Sequence, residues 1–100
     1  MDSQVLSHRK IKVGKEYVDA LAVKLLSKNL VLLWGKGGYV MCGYLNMSVA
    51  KKFKDVAVRV TSVSTIEDAL TSKVSSCTHP AKKLGIYVGQ PIRNVLKIIA

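Results

Sequence analysis

Five apolar residues in a row, Leu30-Val31-Leu32-Leu33-Trp34, run straight into Gly35-Lys36-Gly37-Gly38. Nothing else in the chain limits its fold as tightly. A run without polar alternation predicts a strand covered on both faces. Four glycines within the nine residues from Gly35 to Gly43, flanked by strand-forming side chains, predict a tight hairpin at the centre of a sheet. Tyr39 to Leu45 is then the returning antiparallel strand. Asn46 follows as an N-cap for a helix running to about Lys54, with Val49 and Phe53 facing inward.

The flanking segments read around that hairpin. Met1 to Ser7 are polar and small, so residues 1–8 are expected to form a flexible N-terminal arm and residues 9–100 a single domain. Arg9 to Val13 alternate basic with apolar residues, as an edge strand guarded by lysines does. Gly14-Lys15-Glu16 is a turn. Tyr17 to Leu26 reads either way. Leu21, Val23 and Leu25 alternate like a strand, whereas Val18, Leu21, Ala22 and Leu25 make a helical stripe. Beyond Asp55, Val56 to Thr61 alternates with Val56, Val58 and Val60 toward the core. Ser64-Thr65-Ile66-Glu67 has the spacing of a capping box, with Ser64 as cap and Glu67 as its reciprocal partner. The helix it opens buries Ile66 and Leu70. Val74 to Cys77 is a short strand, and Thr78 with Pro80 opens a helical turn that stops at Gly85. Gly89 and Pro91 precede a last helix with Ile92, Val95, Leu96 and Ile99 on one stripe and Ile98 off it.

Composition narrows the partners. The 100 residues carry two cysteines and no span near the roughly 20 apolar residues needed to cross a bilayer. With no secretory leader apparent, the expected location is the cytoplasm, with both cysteines as thiols and no membrane partner. Sixteen Lys and Arg against six Asp and Glu leave a net charge of +10. The cations are scattered, lysine outnumbers arginine, and few lie near aromatics, so a solvated basic surface is favoured over a nucleic-acid patch. With 49% hydrophobic residues and an apolar excess at Ile98, a homodimer is the expected assembly.

The residues with chemical reach are few. Cys42 is a candidate nucleophile with His79 as its base, but apolar neighbours favour a buried structural thiol. Cys77 and His79, with Cys42 or His8, fall short of the paired spacings of a zinc site, so no metal is expected. Gly35 to Gly38 lacks the pattern of a phosphate-binding loop, and a hairpin explains it. Asp19, Glu67 and Asp68 form no acid–base pair.

Three stretches together carry a family resemblance: Gly38-Tyr39-Val40-Met41-Cys42-Gly43-Tyr44-Leu45-Asn46, Thr65-Ile66-Glu67-Asp68-Ala69-Leu70 and Leu84-Gly85-Ile86-Tyr87-Val88-Gly89. On these, the chain resembles the YunC-like proteins, small cytoplasmic prokaryotic proteins assigned to a domain of unknown function. The resemblance covers about residues 11–96. It implies an α+β fold, a two-layer sandwich with a mixed, mostly antiparallel sheet and helices packed on one face. It also makes Tyr17 to Leu26 a strand. Asn46 stands where the family usually has aspartate, and Ile92 and Asn94 where it usually has glycine and glutamate, which removes carboxylates a catalytic role would use. The expected function is a ligand-binding or protein-interaction module without a cofactor, its ligand-binding residues Gly37, Gly38, Tyr39, Cys42, Tyr44 and Asn46. An enzyme built on Cys42 and His79 is the alternative, and weak, non-specific nucleic-acid binding through lysines the third reading.

Overall fold

A computed structural model describes residues 4–43 and 46–100. Six strands form one sheet in sequence order: β1 (Gln4–Val13), β2 (Glu16–Lys24), β3 (Asn29–Gly35), β4 (Gly38–Met41), β5 (Ala57–Arg59) and β6 (Ser76–Cys77). All neighbours are antiparallel except β4 and β5, which are parallel. Four short helices complete the fold: α1 (Met47–Lys52), α2 (Ile66–Leu70), α3 (His79–Lys83) and α4 (Ile92–Ile99). The α+β architecture with a mixed, mostly antiparallel sheet is as expected.

Period-two alternation decides which side chains meet. Val18, Ala20 and Ala22 of β2, Val31 and Leu33 of β3, Val40 and Val58 point to one face. There they meet Ile66, Ala69 and Leu70 of α2, Ala81 of α3, and Ile92, Val95, Leu96 and Ile99 of α4 in one aliphatic core. β2 is thus a strand, because its alternating residues fit the pleat of β3, whereas a helical stripe would have no second layer to pack on. The single buried residue of α1, Ala50, lies outside this cluster, as does buried Ala57, which alternates with Val58 and so faces the other way.

Several expectations are corrected. β3 is covered on one face only: Leu30, Leu32 and Trp34 remain half-buried, because no helix layer spans that side. β1 begins at Gln4 rather than Arg9, since β2 is long enough to pair Gln4 with Lys24 and Val5 with Val23. This places residues 4–8 in an edge strand rather than an arm; residues 1–3, with Tyr44 and Leu45, lie outside the described residues. Val49 and Phe53 are exposed, and small Ala50 takes the buried position of α1. The capping box is shifted by one residue. Thr65 accepts from the amide of Asp68, and Asp68 accepts from the amide of Thr65. Glu67 is thereby released to pair with Arg9. Ile98 is half-buried and packs against the core.

Candidate functional site

Two concavities flank the parallel pair. The first is an open groove of about 740 Å³ on the face away from the helix-covered core. Leu32, Trp34, Tyr39 and Met41 form its floor, and Lys54, Asp55 and Val56 border it after α1. Trp34 stacks on His8 with ring centroids 6.2 Å apart. The phenol of Tyr39 donates to Asp55 Oδ2 at 2.9 Å. Burial, reinforced by the hydrogen bond to Asp55 and then by its negative charge, pushes the Tyr39 phenol from 10.0 up to about 12.

The glycine turn at the rim of this groove is committed to packing. Gly37 donates its N–H to the Ile99 carbonyl at 2.8 Å. A side chain at Gly35 would put its Cβ 2.3 Å from that same oxygen. Lys36 turns outward to Glu16 at 3.1 Å. The turn is therefore not a cradle for an anion, as the hairpin reading expected.

The second concavity is a crevice of about 540 Å³ at the carboxyl ends of β4 and β5. Cys42 and Gly43 line it where the chain leaves β4 for α1; Thr61 to Ser64 line it where the chain leaves β5 for α2. Ser27 and Lys28, between β2 and β3, and Asn29 at the start of β3 close the third side. The two departing connections diverge, since α2 joins the core cluster while Ala50 of α1 lies outside it. A crevice opening where the chains leaving adjacent parallel strands part to opposite sides is the common ligand position of open α/β sheets.

The expected site residues are thus split. Gly37, Gly38 and Tyr39 border the groove, and Cys42 lies in the crevice. Asn46 caps α1, accepting from the amides of Ser48 and Val49 at 3.0 and 3.2 Å. Tyr44 is outside the described residues. Cys42 is 4% exposed, its Sγ accepting from the Val31 amide at 3.4 Å. His79 does not approach it. The ladders set Cys77 beside Val58 and Val58 beside Val40, so His79 continues toward the Gly38 end of the sheet while Cys42 continues toward the other. At about 3.3 Å per residue along a strand, the separation is well over 10 Å. Cys77 is buried while His79 is exposed, and burial pushes the Cys77 thiol up against the opposing pull of Lys82. Among the described residues, no three His, Cys, Asp or Glu converge as a metal would require.

Sequence reasoning missed Arg59, Lys28 and Ser62, all of which line the crevice. The parallel pairing of β4 with β5 was the signal that would have found them. None of the three sits in a recognisable motif, yet Arg59 ends β5, Ser62 follows it and Lys28 precedes β3.

Comparison with known proteins agrees with this architecture. The model of a family described as "Domain of unknown function (DUF1805)" matches residues 41–99. The "Uncharacterized protein YunC" of Bacillus subtilis (strain 168) is 37% identical over 81 residues, covering 77% of this chain and 80% of that one. The crystal structure of a protein of unknown function, TA1206 from Thermoplasma acidophilum, superimposes with a TM-score of 0.93 at 34% identity. That match covers 100% of this chain and 97% of the other.

Proposed function

This chain belongs to the DUF1805 family, whose function is unknown, and we propose that it is a single-domain binding module that holds a small ligand in the crevice at the ends of β4 and β5. One observation carries this reading: three connections remote in sequence converge there on a polar crevice of about 540 Å³, within the usual range for small-molecule sites. The glycines and aromatics of the hairpin then serve mainly to build the sheet that presents these loops. The dyad that an enzyme reading needs is not assembled, since Cys42 and His79 lie toward opposite ends of the strands. Two unpaired, buried cysteines support a reducing, cytoplasmic setting, and no helix among the described residues is long and apolar enough to cross a membrane.

A second reading concerns assembly. The free sheet face has a contiguous, half-buried apolar floor at Leu32, Trp34 and Met41, and monomers rarely leave large apolar patches open. Self-association through that face, rather than through α4, is the dimer this chain supports. Light scattering across micromolar concentrations reads it, and a constant monomer mass rejects it.

The crevice reading is tested by amide NMR with a panel of small neutral and charged compounds, alongside native mass spectrometry for a co-purified molecule. Saturable shifts are expected at Gly43 and Thr61 to Ser64. A panel that moves none of these amides, with no retained molecule, overturns the reading.

A further inference from the structure

We propose that the crevice recognises a phosphate monoester on a small organic molecule, with Arg59 as its anchor and Lys28 as the second cation. The proposal rests on the reading of the crevice as a ligand site and names what enters it.

Arg59 is the starting observation. It closes β5 and its side chain lines the crevice. Its Nε is buried without a hydrogen-bond partner. Ser76, its partner across the β5–β6 ladder, likewise has a buried hydroxyl with none. A guanidinium stays charged at any ordinary pH and has no acceptor of its own, so a buried N–H left unmade is unfavourable until an acceptor arrives. Among the described residues, no carboxylate supplies that acceptor. The ion pairs among the described residues engage His8, Arg9, Lys10 and Lys36, not Arg59 or Lys28. Glu67, the nearest of these acids to the crevice in sequence, is taken up by Arg9, and Asp68 accepts instead from the amides of Ser64 and Thr65.

The remaining lining suits an oxyanion. Among the described residues no acidic side chain lines the crevice, while Ser27, Thr61, Ser62 and Ser64 line it with hydroxyl-bearing side chains. Two cations with several hydroxyl donors match a phosphate dianion and its three acceptor oxygens better than the single charge of a carboxylate. Ser62 has φ +59, a left-handed conformation that non-glycine residues adopt with strain and that concentrates at binding loops. The volume of about 540 Å³ leaves room beside the phosphate for an organic body.

The test is titration of isotope-labelled protein with inorganic phosphate, glycerol phosphate, acetate and glycerol at constant ionic strength. The readouts are backbone amides and the Arg59 Nε–H resonance. Saturable shifts of Arg59 Nε–H and of the Thr61–Ser64 amides are expected with both phosphates, with glycerol phosphate the tighter. Arg59→Met should weaken phosphate by about tenfold or more, and Lys28→Met by several-fold. Lys28 is exposed on a loop, so its variant keeps the test open if Arg59→Met fails to fold. Lys52→Met, on α1, should change nothing. Linear, non-saturating shifts, acetate binding as well as phosphate, or saturable binding indifferent to both Arg59 and Lys28 overturns the proposal. If neutral compounds still shift the crevice amides in those cases, the ligand-site reading stands and only the phosphate assignment falls. Sedimentation with vesicles containing phosphatidate identifies the source: protein left in the supernatant means a soluble ester, and Arg59-dependent pelleting means the same group on a lipid.

Discussion

The groove and the crevice flank the same strand pair, share no lining residue and are built by opposite means. The groove is a strand surface. Its floor follows from alternation along β3 and β4, its rim from glycines pressed against the backbone of α4, and its polar groups are the hydrogen-bonded pair Tyr39 with Asp55 and two lysines, Lys36 and Lys54. The crevice is made mostly of connections, so its lining is more polar than the groove's, its two cations have no ion-pair partner among the described residues, and its geometry depends on where three loops happen to end. Strand surfaces in a small domain are rigid and apolar, because packing requires it. Loops are released from that requirement and so carry the specific polar groups.

The sharpest way to break this contrast is to add one carbon on each side. Gly35→Ala places a methyl 2.3 Å from the Ile99 carbonyl oxygen, a backbone atom that cannot swing away. Overpacking of this kind should lower unfolding free energy by about 3 kcal/mol. Gly43→Ala, at the crevice, meets nothing within 4 Å and should change stability by less than about 0.5 kcal/mol. Thermal unfolding of the two variants reads the difference, and equal losses would remove the contrast.

A smaller effect tests the support behind both sites. Thr78 is fully buried; its hydroxyl accepts from the Ala57 amide at 3.1 Å and donates to the Asp55 carbonyl. Thr78→Val leaves both backbone groups unpaired and should destabilise the protein by about 1–3 kcal/mol, with the largest amide changes at residues 55–58.

Tyr39 sharpens the groove side through pH. Its phenol is raised from 10.0 to about 12 in the folded state, so the fold binds the proton more tightly than the unfolded chain does. The stabilisation is complete below pH 10 and is lost as pH rises from 10 toward 12. An absorbance titration at the phenolate band should show a late component near 12 that Tyr39→Phe removes. The same variant should flatten the stability loss over that window.

The smallest expected effect is none. Trp34 lies in the groove and is the chain's single tryptophan, so phosphate bound in the crevice should leave its emission unchanged. A shift that saturates with phosphate would join the two sites and erase the distinction.

Legibility divides along the same line. The hairpin, the strand alternation of β5, the Asn46 cap and the apolar stripe of α4 were readable because each is a local pattern with a local cause. Leu30 to Trp34 misled for a physical reason: an apolar run says that both faces dislike water, not that the chain has enough helix to cover both. The capping box shifted because Ser64 and Thr65 are chemically equivalent caps, and only the packing of Ile66 and Leu70 chooses between registers. Gly37, Gly38 and Tyr39 stood out as a site because glycines and aromatics are conspicuous in a sequence. Arg59, Lys28 and Ser62 did not, because their association exists only once β4 and β5 lie parallel and bring three loop ends together.

The hydrogen bond from Gly37 to Ile99 has a kinetic consequence. An amide in a hairpin turn ordinarily trades its hydrogen for solvent deuterium quickly, because no strand partner shields it. Here the shield is the far end of the sequence, so the amide is closed only while α4 is docked. Its exchange rate therefore times how often that helix lifts from the sheet, separately from global unfolding. One resonance thus serves as a stopwatch for the second layer.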